Sequence, residues 1–154
     1  MGAYLNKDGI KSNDRIVSET SQGNGGSRVN LGFFGGNGYD YTHVKTNAGG
    51  SADRMLKFEY DGYTYSSQNV HNSVTFYTYS GTSSPYQPSL VNWGGAGDGI
   101  VSYYYSTDDY VVIVVKTNQQ YTGGFLYAQS GASHTMYDID VLAYASSAST
   151  SGVY

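Results

Sequence analysis

The segment Leu56-Lys57-Phe58-Glu59-Tyr60-Asp61 gives the clearest indication of a β fold, because its apolar and charged residues alternate strictly. Successive side chains of a β-strand point to opposite faces. The pattern therefore predicts that Leu56, Phe58 and Tyr60 face a core and that the three charged residues face solvent. The run Val111-Val112-Ile113-Val114-Val115 is instead apolar on both faces. Such a run is typical of a strand at the centre of a sandwich, or of one covered by a neighbouring subunit.

The rest of the chain also indicates strands rather than helices. Apolar residues do not recur at the helical period, and 21 glycines interrupt the sequence at strand-and-turn spacing. We therefore predict an all-β domain, an antiparallel, jelly-roll-like β-sandwich of about eight strands. The predicted strands are Arg28 to Phe34, Tyr41 to Thr46, Met55 to Tyr65, Val70 to Tyr79, Ile100 to Tyr105, Tyr110 to Thr117, Phe125 to Ala128 and Tyr137 to Ala145.

The chain of 154 residues is long enough for one domain with a core of its own. Residues 1–27 lack the alternation of the later segments and contain the loose stretch Ser21-Gln22-Gly23-Asn24-Gly25-Gly26. We expect a short stalk-like lead-in over residues 1–27, joined by a flexible link to a sandwich domain over residues 28–154.

Composition excludes several classes of function. The net charge is -4 and no segment gathers basic residues, so we expect no nucleic-acid partner. No apolar run approaches the roughly 20 residues of a membrane span, so we expect no membrane insertion. The absence of cysteine excludes disulfides and cysteine-ligated zinc.

Motifs for catalysis are also missing, and we predict a protein that is not an enzyme and holds no cofactor. His43, His71 and His134 share no short ligand spacing and are interpreted as polar surface or interface histidines. In a trimer, His43 is the one that could converge on the threefold axis. On a strand, Asp138 and Asp140 would point to the same side, as a glycosidase pair or a calcium site requires, or simply as solubilising carboxylates.

Tyrosine points to binding. The chain has 18 Tyr, and a Tyr ring buries apolar area while its hydroxyl still forms hydrogen bonds, as in surfaces that bind sugars. We place the contact on two turn-rich connections, Ser80 to Asp98 and Tyr121 to His134, because loops can vary on a rigid scaffold. Trp93 is the leading candidate, with a plug that caps the sandwich end as the alternative. The predicted ligand-binding residues are Tyr86, Asn92, Trp93, Tyr127, Gln129 and His134.

Four segments resemble the C-terminal tip domain of bacteriophage tail fibres, especially those of phages that infect marine bacteria. The segments are His43 to Asn47, Glu59 to Tyr65, Asp109 to Val115 and Ser151 to Tyr154. The resemblance implies a homotrimeric fibre end in the virion, assembled in the bacterial cytoplasm, that adheres to a host cell-surface glycan or protein. It also implies that the residues before Arg28 are the last part of the fibre shaft.

Two other functions fit the same sequence. A stand-alone carbohydrate-binding β-sandwich would be monomeric and would carry its aromatic residues on one sheet face. A glycan depolymerase or esterase would need converging carboxylates, for which Asp138 and Asp140 are the candidates. The mass in solution separates the first function from a fibre tip, and a reducing-end assay on surface glycans tests the second.

Overall fold

The computed structural model describes residues 28–36, 40–65, 68–94, 98–116, 122–132 and 135–154. These ranges form ten β-strands and no helix, so they also contain no helix that could cross a membrane. The strands are β1 (Val29–Gly35), β2 (Tyr41–Gly49), β3 (Arg54–Thr64), β4 (Gln68–Thr78), β5 (Tyr86–Gly94), β6 (Gly99–Tyr105), β7 (Tyr110–Lys116), β8 (Gly123–Ala132), β9 (Thr135–Met136) and β10 (Val141–Ser147). The predicted lead-in, residues 1–27, lies outside the described residues.

The strands form two antiparallel sheets. The larger, six-stranded sheet has the order β1-β8-β3-β4-β5, with β9 paired to β8. The smaller, four-stranded sheet has the order β10-β2-β7-β6. Buried residues of both sheets belong to one core, which confirms the predicted all-β sandwich.

The alternation on β3 is confirmed. Leu56, Phe58 and Tyr60 are almost fully buried in the core, where Phe58 stacks with Phe76 at 5.9 Å between ring centroids. The intervening Lys57, Glu59 and Asp61 point away from the core, onto the opposite face of the larger sheet. β3 is therefore apolar on one side and charged on the other, as its sequence pattern predicts.

Strand β7 is buried on both faces, as its continuous apolar run predicts. Val111, Ile113 and Val115 lie in the core, whereas Val112 and Val114 lie on the opposite face and are equally inaccessible to solvent. β7 pairs with β2 on one side and β6 on the other, so it is central in its sheet. A neighbouring subunit is not needed to bury it.

The C-terminal segment covers the outer side of β7. His43, opposite Val114 in the neighbouring strand, contacts the Ser149 carbonyl oxygen at 2.7 Å through its Nε2 atom. Tyr104, opposite Val112, accepts a hydrogen bond from the Val153 backbone N–H at 3.3 Å. We call residues 148–154 the C-terminal strap, because they run across this face of the smaller sheet.

The structure differs from the prediction along three segments. β5 was predicted to be a loop, because Pro88 and several turn-forming residues hide its strand character, but Pro is tolerated on the edge strand that β5 forms. β8 extends over ten residues, well beyond the predicted Phe125 to Ala128. Residues 137–140 were predicted to begin the last strand, yet β10 begins only at Val141.

Candidate binding surface

The face of the larger sheet that points away from the core carries both charged side chains and exposed aromatic rings. We call it the outer face. Register places Glu59 opposite Tyr127, and Asp61 opposite both Phe125 on β8 and His71 on β4. Because directly paired residues of an antiparallel sheet project to the same side, these side chains lie together.

Arg28, just before β1, organises the charged part of the outer face. Its Nε atom lies 3.0 Å from Glu59 Oε2, and its Nη2 atom donates a hydrogen bond to Asp61. Its guanidinium carbon lies 3.6 Å from the centre of the Tyr127 ring, a cation–π contact. A planar guanidinium that is stacked and doubly paired has little rotational freedom, so Arg28 holds both carboxylates in fixed positions.

Lys57 and His71 complete this network. Lys57 Nζ lies 2.9 Å from Glu59 Oε1, and His71 Nδ1 contacts Asp61 Oδ1. Partial burial would raise the pKa of Asp61, but the hydrogen bonds from Arg28 and His71 outweigh it and hold the pKa below its usual value. Asp61 is therefore ionised at neutral pH and accepts hydrogen bonds.

Aromatic rings lie beside the charged network. Phe33 is 63% exposed and meets Phe125, which is 43% exposed, edge to face at 5.3 Å between centroids. Phe125 lies 6.4 Å from Tyr127, the ring on which Arg28 stacks. Tyr63 on β3 lies directly opposite Gly123 on β8 and adds another exposed ring. The outer face thus joins an apolar platform to a polar network.

Glycine seats the Phe33 ring. A Cβ atom at Gly123 would collide with this ring, and a Cβ at Gly35 would also be tight against it. The ring therefore rests on bare backbone where β1 and β8 pair, and its other side remains open to solvent. Glycine in a strand often marks such a close approach.

Five of the six predicted ligand-binding residues lie on β5 and β8, so the prediction that they belong to loops was wrong. Tyr127 and Gln129 belong to β8, with Gln129 opposite Lys57 on the outer face. Tyr86 and Trp93 belong to β5, paired with Tyr77 and His71. Tyr127 and Gln129 are therefore close together, whereas Tyr86 lies at the opposite edge of the sheet. The Trp93 side chain and all of His134 lie outside what the structure describes.

Asn92 has a structural partner. Its side-chain oxygen accepts a hydrogen bond at 3.0 Å from Asn72, whose buried amide also donates to the carbonyl oxygens of Asp98 and Ile100. This network ties the β5 edge to the turn before β6. The Asn92 side chain is directed toward this buried network rather than toward the aromatic platform.

His43 is buried beneath the C-terminal strap, on the face of the smaller sheet that points away from the core, so its interpretation as a surface or interface histidine was wrong. It is fully buried, and its Nδ1 atom lies 3.0 Å from the Tyr104 hydroxyl. Burial lowers the pKa of His43, and the hydrogen bond to Ser149 opposes this only in part. A neutral ring that donates from Nε2 to the Ser149 carbonyl accepts a hydrogen bond from the Tyr104 hydroxyl at Nδ1.

Asp138 and Asp140 precede β10, so the prediction that they lie on the last strand was wrong. Both are exposed and flank the fully buried Ile139, in a segment outside the sheet ladders. Asn47 fixes that segment by accepting a hydrogen bond from the Asp140 N–H at 2.9 Å. Among the described residues, no three His, Asp or Glu side chains gather as a metal site would require.

Arg28, Phe33, Asp61 and His71 were not among the predicted site residues. The alternation on β3 gave a signal for Asp61 by placing it on a solvent-facing strand surface. The pairing of β1 and β4 with their neighbours brings Arg28, Phe33 and His71 to the face that carries Asp61. This pairing has no signature in the local sequence.

Comparison of the chain with protein-family models, with curated proteins and with solved structures finds no match.

Proposed function

We propose that this domain is a receptor-binding tip domain of a bacteriophage tail fibre, which adheres to a glycan on the host surface. The observation that carries the proposal is the open Phe33 ring beside the paired charges of Arg28, Glu59 and Asp61. A sugar presents apolar C–H groups and hydroxyls together, so a ring next to fixed polar groups is complementary to it. The tail-fibre part of the proposal rests on the sequence resemblance.

A pair of matched variants tests this surface. Phe33→Ala removes the platform, whereas Tyr144→Ala removes a ring of similar exposure, 69%, from β10 in the other sheet. We expect Phe33→Ala to abolish adsorption to host cells or to a glycan array while Tyr144→Ala retains it. Equal adsorption by both variants would contradict the proposed surface.

The proposed assembly places subunit contacts at β5. This strand is an edge of the larger sheet, and Leu90 and Val91 are 40% and 39% exposed on its two faces. No Asp, Glu, Lys or Arg occurs between Asp61 and Asp98, so β4 and β5 lack the charges that commonly protect an edge. We therefore propose that three copies meet through this uncharged half, which leaves the β1-β8-β3 half for the glycan.

A second candidate is a stand-alone carbohydrate-binding sandwich. The observation that favours it is that Phe33, Tyr63 and Phe125 lie on one sheet face, as expected for such a module. It would bind glycans as a monomer, so the mass in solution separates it from a fibre tip. Neither proposal includes turnover, and release of reducing ends from a bound glycan would contradict both.

A further inference from the structure

The charges on the outer face balance each other. Two cations, Arg28 and Lys57, stand against two carboxylates, Glu59 and Asp61, and every one of these groups has an oppositely charged partner on the same face. The neighbouring β4 and β5 add no Asp, Glu, Lys or Arg. An anionic ligand would therefore have to separate Arg28 or Lys57 from a carboxylate, and it would approach that carboxylate as it did so.

The same arrangement suits uncharged hydroxyl groups. An ionised carboxylate has about four lone-pair sites. Glu59 and Asp61 each receive two of the described contacts, so acceptor sites remain. Hydrogen bonds from sugar hydroxyls to a carboxylate are charge-assisted, and Arg28 already holds these carboxylates, so little side-chain freedom is lost on binding.

The Phe33 platform completes the site. An exposed ring supported by the Gly123 backbone offers a flat apolar surface on which the C–H face of a pyranose can pack. Sulfate or carboxylate substituents gain nothing from such a surface. We propose that the outer face binds a neutral glycan, with one sugar ring on Phe33 and its hydroxyls on the carboxylates held by Arg28. This inference rests on the proposed glycan-binding function and names the chemical class of its ligand.

A panel of polysaccharides tests the inference on the full chain. The probes are neutral mannan, glucan, galactan and dextran, with alginate and dextran sulfate as anionic members, measured by affinity electrophoresis and calorimetry. We expect a neutral member to bind. Its affinity should change less than about twofold between low and high salt, because a neutral polysaccharide carries no charge that salt could screen. Phe33→Ala should weaken that binding by about tenfold or more.

A charge variant makes the test sharper. Glu59→Gln leaves Arg28 and Lys57 with one carboxylate fewer on this face. The variant should acquire salt-sensitive binding to dextran sulfate, which we do not expect of the natural chain. Circular dichroism and thermal melting of each variant show whether it is folded, and Phe33→Tyr, which keeps the ring, should restore binding if Phe33→Ala loses it.

The outcomes separate the two proposals. Binding by the natural chain confined to anionic members, or lost at high salt, would overturn the neutral-glycan inference and leave the glycan-binding function in place. Absence of binding to every neutral member would also overturn the inference. Absence of binding to the whole panel and to bacterial cells would overturn the proposed function itself.

Discussion

Asp61 determines how the outer face responds to acid. Because Arg28 and His71 hold its pKa below the usual value, the unfolded chain takes up a proton at this carboxyl before the folded chain does. The contribution to the free energy of unfolding is therefore present above about pH 4 and is lost as the pH falls through the lower, folded value.

We expect Asp61→Asn to reduce the loss of stability in acid. The free energy of unfolding, measured by urea denaturation between about pH 5 and pH 2, should fall less steeply with decreasing pH in the variant than in the natural chain. Identical slopes would mean that the contacts of Asp61 with Arg28 and His71 do not persist in solution.

His43 gives a second pH dependence, at higher pH. Burial keeps its ring neutral in the fold, whereas an unfolded histidine takes up a proton near pH 6.5. The free energy of unfolding should therefore decrease as the pH drops below about 6.5, until the folded pKa is reached.

The His43→Gln variant should lack that dependence. In the natural chain, exchange of the Val153 amide hydrogen should also accelerate on acidification relative to β7, because protonation at Nδ1 removes the acceptor of the Tyr104 hydroxyl, which itself accepts the hydrogen bond from the Val153 N–H. If the Val153 amide stays protected from exchange while the free energy of unfolding falls, the effect of His43 on stability does not act through the C-terminal strap.

Substitution of Gly123 tests whether the position of the Phe33 ring matters, because it leaves every side chain of the candidate surface in place. Gly123→Ala introduces a Cβ where the Phe33 ring lies, and an exposed ring can move aside at little cost. We expect a loss of glycan binding with the thermal midpoint changed by only a few degrees. Unchanged binding would show that the seat of the ring is unimportant.

Strands β7 and β5 differ in how far their side chains are buried. Val114 on β7 is fully buried although it faces away from the core, because the C-terminal strap covers that face. Val91 on β5 is part of an open edge. We therefore expect aspartate to be tolerated at position 91 and to be strongly destabilising at position 114.

Val114→Asp and Val91→Asp compare the two strands directly. In the monomer, an unpaired carboxylate at position 114 should lower the free energy of unfolding by more than about 3 kcal/mol, whereas at position 91 the change should stay within about 1 kcal/mol. Denaturant melts measure both. A tolerant Val114→Asp variant would mean that the strap does not cover β7.

At the scale of the whole molecule, assembly decides between the two proposed functions. A fibre tip should be a trimer by light scattering at micromolar concentration, with more than about 1,000 Å² buried at its interface. Val91→Lys, which adds a charge to the edge strand, should shift the trimer toward monomer without lowering the melting temperature of the monomer. A natural chain that is monomeric would remove the support for the tail-fibre proposal and favour the stand-alone module.

Local sequence patterns were enough to predict the strand character and the burial of β3 and β7. Alternation on β3 and the continuous apolar run of β7 are local patterns, and both predicted the observed burial, Ile113 included. β5 was missed because an edge strand is paired on one side only and can accept Pro88 and polar residues that elsewhere mark a loop.

The residues that form the candidate surface and the segment that covers β7 depend on contacts between distant parts of the chain. Arg28 lies 33 residues from Asp61 along the chain, and His43 lies 106 residues from Ser149, yet each pair is in contact. Strand order and register bring such residues together, and they depend on the packing of the whole chain rather than on any local pattern. The sequence thus determined the faces of individual strands, while the pairing of distant strands determined that Arg28, Phe33, Asp61 and Tyr127 share one face.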